Sequence, residues 1–369
     1  MTARVKILGA GSIGNHLAHG SRGQGWAVTI CDIDPAALER TKTDIYPTRY
    51  GAWDETIRLA APDAVAGETF DVVIVGTPPD VHMRIAMAEL ATNPPRVMVI
   101  EKPLCTPALE DCRALAAKAA ETGTVVLVGY NHCLTPNTVL AEGWLKDGAI
   151  GEVLTLDGMV REHWAGIFGA HPWLAGPQDT YLGFTRRGGG ALCEHSHGVN
   201  IWQHFARVAG AGRVVRVSAT LDMVAAGGAE YDRIAQVDMV TETGLVGRVV
   251  QDVITDPAIK RLRLQGTEGH IEWEVNAEPG ADAATLVTRT GGTRREVLKK
   301  TRPDDFRPEI AHVAAVLADP AAPSPISLTA GLETMLVLAA AIRSSAEGHA
   351  IAIDYAQGWR PEALRPVGA

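Results

Sequence analysis

The sequence predicts an α/β protein with two domains, and three observations point to that fold class. The chain has 369 residues, more than one ordinary core holds and about right for two domains. Up to Tyr130, short apolar runs alternate with helical patterns, as in a doubly wound parallel sheet. After Tyr130, partly alternating strands follow one another across short turns. We therefore expect an α+β second domain with a large, mostly antiparallel open sheet.

The first predicted domain covers residues 1–131 and contains five apolar runs without hydrophobic alternation. Such strands are buried on both faces, and the helices between them make the sheet parallel. The strands are RVKIL, AVTICD, DVVIVGT, RVMVIEK and TVVLVGY, and the predicted helices cover 12–23, 35–42, 81–91 and 107–121. Ligands of such sheets bind beyond the carboxyl ends of the strands.

The second predicted domain covers residues 132–369 and opens with a helix over 138–146. Glycine-rich turns such as Thr243-Gly244 and Gly291-Gly292 separate the predicted strands. These strands cover 153–159, 213–221, 234–241, 247–255, 260–266, 270–275 and 284–289. Helices over 308–317 and 330–346 are expected to close the domain.

The composition argues against several classes of protein. The net charge is -9 and basic residues cluster only in pairs, so we expect no nucleic-acid surface. No apolar run approaches the roughly 20 residues of a membrane-spanning helix, and the amino terminus enters a strand at once. The five cysteines are scattered without a C-x-x-C pair. We therefore expect a cytoplasmic protein without disulfide bonds, a membrane anchor or a structural metal.

The first chemical motif is GAGSIG, which follows the first strand and opens the first helix. Gly9 permits the tight turn, Gly11 lets the backbone approach a diphosphate, and Gly14 permits close packing between helix and strand. The helix amino terminus contributes free N–H groups and a positive dipole. Together with an acid at the end of the next strand, this pattern predicts dinucleotide binding.

That acid is Asp32, which lies 23 residues after Gly9 and can accept hydrogen bonds from the adenosine ribose. A 2'-phosphate would meet its negative charge, and the neighbouring Ile33 offers no cation. The sequence therefore favours NAD over NADP as the cofactor.

Two further strand ends carry polar residues. GTPPDVH places His82 near the cofactor crevice, where it is either a cofactor neighbour or a packing residue, and we keep both interpretations. VIEKP places Glu101 and Lys102 directly after a buried strand, which is unusual composition for a core. A partly desolvated lysine there can polarise a hydroxyl or a carbonyl group.

These motifs, in this order, resemble the glucose-fructose oxidoreductase / inositol dehydrogenase / rhizopine catabolism (Gfo/Idh/MocA) family. The resemblance also rests on GYNH, GGGALCEHSH, LRLQGTEGHIEWE and SLTAGLETMLVLAAAIRSSAEG, and it runs over nearly the whole chain. It implies an NAD-binding Rossmann domain, a second domain used for dimer or tetramer contacts, and oxidation or reduction of a sugar or cyclitol. It also implies that Lys102 is the catalytic lysine and that the GGG motif supplies the proton-transfer group. The predicted cofactor site comprises Gly9, Gly11, Ser12, Ile13, Gly14, Asp32, Ile33, Thr77, Pro78, His82, Glu101 and Lys102.

The GGG motif departs from the family pattern by one residue. Family members place the histidine four residues after the acid, whereas here His197 follows Glu194 by three. On one helix, residues three apart still share a face. We therefore predict His197 as the general acid/base, oriented by Glu194, and His195 as a substrate contact. A zinc or iron site involving Cys193, or simple burial of both histidines, are the alternatives.

Further substrate contacts are predicted from residues 161–184, which read as a long irregular loop. Aromatic rings stack on sugar C–H surfaces, so Trp164, Trp173 and Tyr181 are candidates, with His163 and His171 beside them. An arm packed on a neighbouring subunit is the alternative. His132 in GYNH is another candidate, at a position where the family often has arginine, which leaves an anionic substrate in doubt.

The sequence thus predicts a homodimeric or homotetrameric NAD-dependent dehydrogenase acting on a secondary alcohol or carbonyl of a sugar, sugar derivative or cyclitol. Catalysis is assigned to Lys102, His197 and Glu194, and substrate binding to Lys102, His132, Trp164, Trp173, Tyr181, Glu194, His195 and His197. Two other functions stay open: an NAD-dependent glycosidase or epimerase with transient oxidation, and a non-catalytic NAD-binding sensor or assembly protein.

Overall fold

The computed structural model describes residues 2–169 and 173–368 and divides the chain into two compact units. The first unit comprises Met1–Leu104, Asp111–Asn131 and Arg302–Leu328, and the second comprises Cys105–Glu110, His132–Thr301 and Thr329–Ala369. A division between residues 131 and 132 therefore recurs in the structure. Residues 302–328, which the sequence placed in the second domain, pack with the first unit instead.

The first unit begins as a regular alternation of strands and helices. Its elements are β1 (Arg4–Leu8), α1 (Ser12–Gly23), β2 (Ala27–Cys31), α2 (Pro35–Arg40), α3 (Tyr46–Tyr50), β3 (Arg58–Ala60), β4 (Val72–Val75), α4 (Pro79–Thr92), β5 (Val97–Ile100), α5 (Cys112–Thr122) and β6 (Val125–Val128). A π-helical turn, Thr41–Ile45, joins α2 to α3.

The strands of the first unit form one parallel six-stranded sheet in the order β3-β2-β1-β4-β5-β6. Its apolar runs are buried on both faces, as their lack of alternation predicts. In the register of β1, Leu8 lies opposite Cys31 of β2 and Val75 of β4. The residues that follow these three positions therefore share one edge of the sheet.

The second unit contains the helices and strands that follow residue 131, except for one helix within residues 302–328. Its first elements are α6 (Pro136–Lys146), β7 (Val153–Arg161), α7 (Ala165–Gly169), α8 (Gly190–Glu194), α9 (His197–Val208), β8 (Val214–Ala226), β9 (Ala229–Thr241), β10 (Val246–Asp252), β11 (Ile259–Gly266), β12 (Gly269–Glu278), β13 (Ala281–Thr288) and β14 (Gly292–Lys299). The chain then supplies α10 (Arg307–Ala318) to the first unit, and α11 (Leu328–Glu347), β15 (Ile351–Ile353) and β16 (Leu364–Pro366) complete the second.

The second unit is built on a ten-stranded sheet in the order β14-β13-β12-β11-β7-β10-β9-β8-β15-β16. All its pairings are antiparallel except β7 with β10. Trp202 and Trp273 are buried in this unit, and their indole N–H groups donate to Leu156 O at 3.0 Å and Thr138 Oγ1 at 2.7 Å. The predicted fold class is confirmed, although β14 to β16 and the short β3 were not predicted.

Helix α11 bears on the expectation that no segment of this chain spans a membrane. Its 20 residues are long and apolar enough to cross a membrane by length and composition alone. In the structure, 72% of its apolar window is buried within the chain, as in the core helix of a folded domain. Glu333 and Thr334 interrupt its apolar residues, so the sequence shows no continuous apolar run of that length.

Candidate active site

The GAGSIG turn joins β1 to α1 at the edge where β2 and β4 also end. Gly9 has φ of +113°, and a Cβ there would lie 2.5 Å from Gly76 O. A Cβ on Gly14 would lie 2.1 Å from Gly9 O. Both glycines are therefore required by the packing of the protein itself.

Gly11 differs from these two glycines, because a Cβ there would meet no atom within 4 Å. The packing of the chain does not explain the missing side chain, but the close approach of a ligand does. Gly11 is also the N-cap of α1 and supplies no side chain to the first N–H groups of the helix. The turn therefore fits the diphosphate of NAD.

Asp32 lies at the end of β2, beside the glycine turn. Its Oδ2 accepts a hydrogen bond from Ala10 N at 2.9 Å, and its Oδ1 accepts one from Asp34 N at 2.9 Å. A carboxylate oxygen has two lone pairs, so each oxygen retains capacity for a ribose hydroxyl. The next side chain, Ile33, is 88% exposed and brings no cation to a 2'-phosphate. This geometry fits NAD.

His82 lies in the first turns of α4 and is completely buried. Its Nδ1 lies 3.1 Å from Pro103 O and its Nε2 lies 2.6 Å from Thr77 O. Burial lowers the pKa of His82, and its hydrogen bonds to backbone groups of Thr77 and Pro103 oppose that effect. His82 thus bridges the segments after β4 and β5, as the packing interpretation expects.

Lys102 is half-buried immediately after β5, and Glu101 before it is buried. Glu101 lies against Gly129, where a Cβ would be 2.7 Å from Glu101 Oε1. Glu309 of α10 is 1% exposed. Burial raises the pKa of Glu309 well above its ordinary value, and the nearby Glu101 raises it further. Both effects favour the neutral form of Glu309, a feature that sequence reasoning missed.

In the second unit, the GGG motif forms a turn whose glycines are surrounded by protein. A Cβ on Gly189 would lie 2.2 Å from Tyr181 O. Gly190 has φ of +79°, and a Cβ there would lie 2.0 Å from Asp232 Oδ1. The buried carboxylate of Asp232, on β9, accepts hydrogen bonds from Leu192 N at 2.7 Å and Thr185 Oγ1 at 2.8 Å. Asp232 therefore holds the turn that delivers Glu194.

Sequence reasoning missed Asp232, although an aspartate in the apolar alternation of a strand is a detectable signal. Burial raises its pKa to about 7, against the opposing effect of the hydrogen bonds from Leu192 and Thr185. The exposure of Asp232 is 0%, in keeping with this effect of burial.

The helix that the GGG motif was expected to open is broken in two. Helix α8 ends at Glu194 and α9 begins at His197, with His195 and Ser196 in the turn between them. Glu194 Oε2 accepts a hydrogen bond from the Tyr181 hydroxyl at 3.1 Å. Glu194 and His197 therefore do not lie on one helix face. Glu194 ends α8 beside Tyr181, and His197 begins α9.

The two histidines of the motif occupy different surroundings. The His197 ring is half-buried and lies 4.4 Å from the His132 ring, centroid to centroid, with the two planes tilted by 55°. His195 is buried. The structure therefore brings together Glu194 with Tyr181 and His197 with His132.

A buried polar network begins at Cys133, the residue after His132. Cys133 Sγ donates to Asn200 Oδ1 at 3.0 Å, and His204 Nε2 lies 2.7 Å from Glu142 Oε1. Burial lowers the pKa of His204, but Cys133 and Glu142 outweigh it and raise the pKa to about 9. His204 is therefore an imidazolium at neutral pH, and this network had no local sequence signal because it joins α6, α9 and the turn after Tyr130.

The aromatic candidates of residues 161–184 separate in the structure. Trp164 is 5% exposed in an apolar cluster, with its ring 4.6 Å from that of Tyr231. This packing leaves no open face for a sugar, so the structure contradicts the prediction of Trp164 as a stacking surface. Trp173 is 41% exposed, and its role as a sugar contact stays a prediction. His171 lies outside the described residues.

Among residues 2–169 and 173–368, no group of three or more histidine, cysteine, aspartate or glutamate side chains is arranged to hold a metal ion. Cys193, the thiol of the alternative metal site, is buried at the end of α8.

Comparison with known proteins bears on both units. Residues 3–130 match the oxidoreductase family with an NAD-binding Rossmann fold, Gfo/Idh/MocA. The inositol 2-dehydrogenase of Gluconacetobacter diazotrophicus is 28% identical over 169 residues, which is 45% of this chain and 48% of that enzyme. The chain thus matches only about half the length of that relative.

Two solved structures share the whole fold. A levoglucosan dehydrogenase in complex with NADH and levoglucosan has a TM-score of 0.76 and 19% identity, over 95% of this chain and 98% of that one. The aldose-aldose oxidoreductase of Caulobacter crescentus has a TM-score of 0.74 and 18% identity, over 96% and 100%. At such identities the likeness shows the fold alone.

Residues 3–130 therefore match the NAD-binding Rossmann part of the family that the sequence motifs resemble, Gfo/Idh/MocA.

Proposed function

We propose that this chain is an NAD-dependent oxidoreductase acting on a secondary alcohol or carbonyl of a sugar, sugar derivative or cyclitol. One observation carries the proposal: Lys102 lies two residues after the end of β5 in an NAD-binding sheet. This is the edge of the sheet where ligands bind, and a charged residue so close to a buried strand is unusual. The names of the relatives support the substrate class, because they include an inositol dehydrogenase and a levoglucosan dehydrogenase.

The proposal assigns separate tasks to residues of the two units. His197 removes the proton of the substrate hydroxyl, and the Lys102 cation stabilises the negative charge that develops on that oxygen. Glu194, bonded to Tyr181, binds or orients the reacting group. NAD supplies the hydride acceptor when it is bound. Carbonyl reduction uses the same groups in reverse.

His132, His195 and Trp173 complete the proposed substrate contacts. The proposal also includes a cytoplasmic location and a homodimer or homotetramer, with no nucleic-acid or membrane partner. The net charge of -9 supports the absence of a nucleic-acid partner.

The test is a screen of sugars and cyclitols, including inositol and levoglucosan, with NAD and with NADP. We expect a substrate-dependent change in absorbance at 340 nm with NAD. Product analysis of the same reactions distinguishes a glycosidase or epimerase, which would convert its substrate without net change at 340 nm. No conversion of any compound would contradict the proposal.

On the substrate found, Lys102→Ala should lower turnover by roughly 10² or more, because a positioned charge is lost in the transition state. NADH affinity, read by fluorescence, should stay within a few-fold of the wild type. Lys118→Ala is the matched control, since Lys118 pairs with Glu121 on α5. Near-normal turnover of Lys102→Ala would remove Lys102 from the catalytic role.

A further inference from the structure

Three side chains hold the carbonyl groups of the GAGSIG turn. Ala10 O accepts a hydrogen bond from Thr41 Oγ1 at 2.6 Å, and Gly11 O accepts one from Asn15 Nδ2 at 2.8 Å. Ser12 O accepts one from Arg49 Nη1 at 2.8 Å. The C=O and N–H of a trans peptide point in opposite directions, so anchoring these carbonyls orients the N–H groups of the turn the other way. The turn is thus fixed as a set of donors.

Arg49 makes a second bond to the same residue. Its Nη2 donates to Ser12 Oγ at 2.8 Å, so the guanidinium donates to both the carbonyl and the hydroxyl of the first residue of α1. This contact brings α3, 37 residues further along the chain, against the amino terminus of α1. A full positive charge therefore stands beside the partial positive charge of the helix end.

The charge of Arg49 is not neutralised by the protein. Within the described part of the chain, Arg49 forms no salt bridge with a carboxylate, whereas its neighbours Arg22 and Arg40 pair with Asp54 and Asp34. Burial lowers the pKa of Arg49 most, Tyr50 raises it, and the smaller effects of Arg302 and Asp44 oppose each other. A half-buried cation that has no salt bridge and stands beside a helix amino terminus favours the binding of an anion there.

We propose that Arg49 is a diphosphate-recognition residue of the NAD site. It gives the α1 amino terminus a side-chain cation that neither the GxGxxG pattern nor Asp32 provides. Its ligand class is a dinucleotide or nucleotide with a diphosphate. Each terminal nitrogen of the guanidinium carries a second hydrogen that Ser12 does not use, and these N–H groups suit phosphate oxygens. The inference rests on NAD binding by the first unit and requires no assumption about the substrate.

The test compares ligands that differ only in the diphosphate. Displacement of NADH, followed by its fluorescence, gives the affinities of ADP and adenosine for the full chain. We expect Arg49→Met to weaken ADP and NADH binding about ten-fold, the loss of one charge-assisted contact. Adenosine affinity should stay within two-fold. The ADP affinity of the variant should also fall less steeply with added salt.

Two further variants make the result specific. Arg49→Lys keeps the charge and loses the fork, so its ADP affinity should lie between those of the wild type and Arg49→Met. Arg40→Met removes the same charge from α2 and should leave the ratio of ADP to adenosine affinity unchanged. If Arg49→Met does not fold, as judged by its thermal unfolding, Arg49→Lys still tests the ratio.

Two results would overturn the inference. Equal weakening of ADP and adenosine would show that Arg49 only shapes the turn, and unchanged ADP binding would show that it does not reach the diphosphate. Because no substrate is used, a failure here is independent of the outcome of the sugar and cyclitol screen.

Discussion

Two glycine-rich turns open helices in this chain, and their surroundings differ. In the GAGSIG turn of the first unit, Gly11 faces open space where a Cβ would touch nothing within 4 Å. In the GGG turn of the second unit, a Cβ on Gly189 or Gly190 would collide with Tyr181 O or Asp232 Oδ1. The first turn leaves room for a ligand, whereas the second is packed against its own protein.

The difference shows two ways of using glycine at a functional site. In GAGSIG the backbone is the binding group, so the glycine leaves the N–H donors accessible. In the GGG turn the backbone is a support, and its close packing on Asp232 sets the position of Glu194 at the end of α8. A substitution at Gly11 should therefore change ligand binding, and one at Gly189 or Gly190 should change stability.

The largest expected effect is that of Gly190→Ala. The positive φ costs about 2 kcal/mol, and overlap with Asp232 adds about 3 kcal/mol, so we expect a loss on the order of 5 kcal/mol in the free energy of unfolding. Denaturant unfolding measures it. Gly228→Ala is the matched control, because its φ of +86° is similar but nothing lies within 4 Å. Equal losses in the two variants would contradict the role of Asp232.

The next effect is a pH dependence carried by Asp232. Its pKa is raised to about 7 in the folded protein, so the folded state binds more protons than the unfolded state above the ordinary aspartate value. Its contribution to stability is complete at acidic pH and is lost as the pH rises through about 7. Between pH 5 and pH 8 the wild type should therefore lose about 3 kcal/mol more than Asp232→Asn.

Unfolding in urea at both pH values checks this prediction. The control is Asp222→Asn. Asp222 lies on β8, where it is an exposed salt-bridge partner of Arg233, so its loss should leave the dependence of stability on pH as in the wild type. Parallel slopes for the wild type and Asp232→Asn would show that the carboxyl is not protonated in the folded protein.

The comparison also shows which parts of the site a sequence can predict. The GAGSIG turn and Asp32 were predictable because strand, turn, helix and acid lie within 32 residues and each follows a local rule. Likewise, the position of Lys102 followed from the end of one buried strand. Local spacing was sufficient to predict these positions because the carboxyl ends of parallel strands lie at one edge of the sheet.

The GGG turn was less predictable because its partners come from distant strands. Asp232 lies 40 residues from Leu192, and only the pairing of β9 with β8 and β10 brings it there. The break between Glu194 and His197 was missed, since spacing by three residues suits both a continuous and an interrupted helix. Trp164 was misjudged because a loop tryptophan carries no local sign of the cluster that buries it.

The smallest expected effect on stability, and the sharpest test of the first turn, is Gly11→Ala. Because the added methyl group meets no atom within 4 Å, the free energy of unfolding without ligand should change by less than about 1 kcal/mol. The same methyl occupies the space assigned to the diphosphate, so NADH affinity should fall about ten-fold or more. Gly23→Ala, at the other end of α1 and equally open, is the control and should alter neither quantity.

Fluorescence titration with NADH and thermal unfolding give both measurements. Wild-type NADH binding by Gly11→Ala would mean that the open space beside Gly11 is not where the diphosphate lies, and the contrast between the two turns would then rest on packing alone.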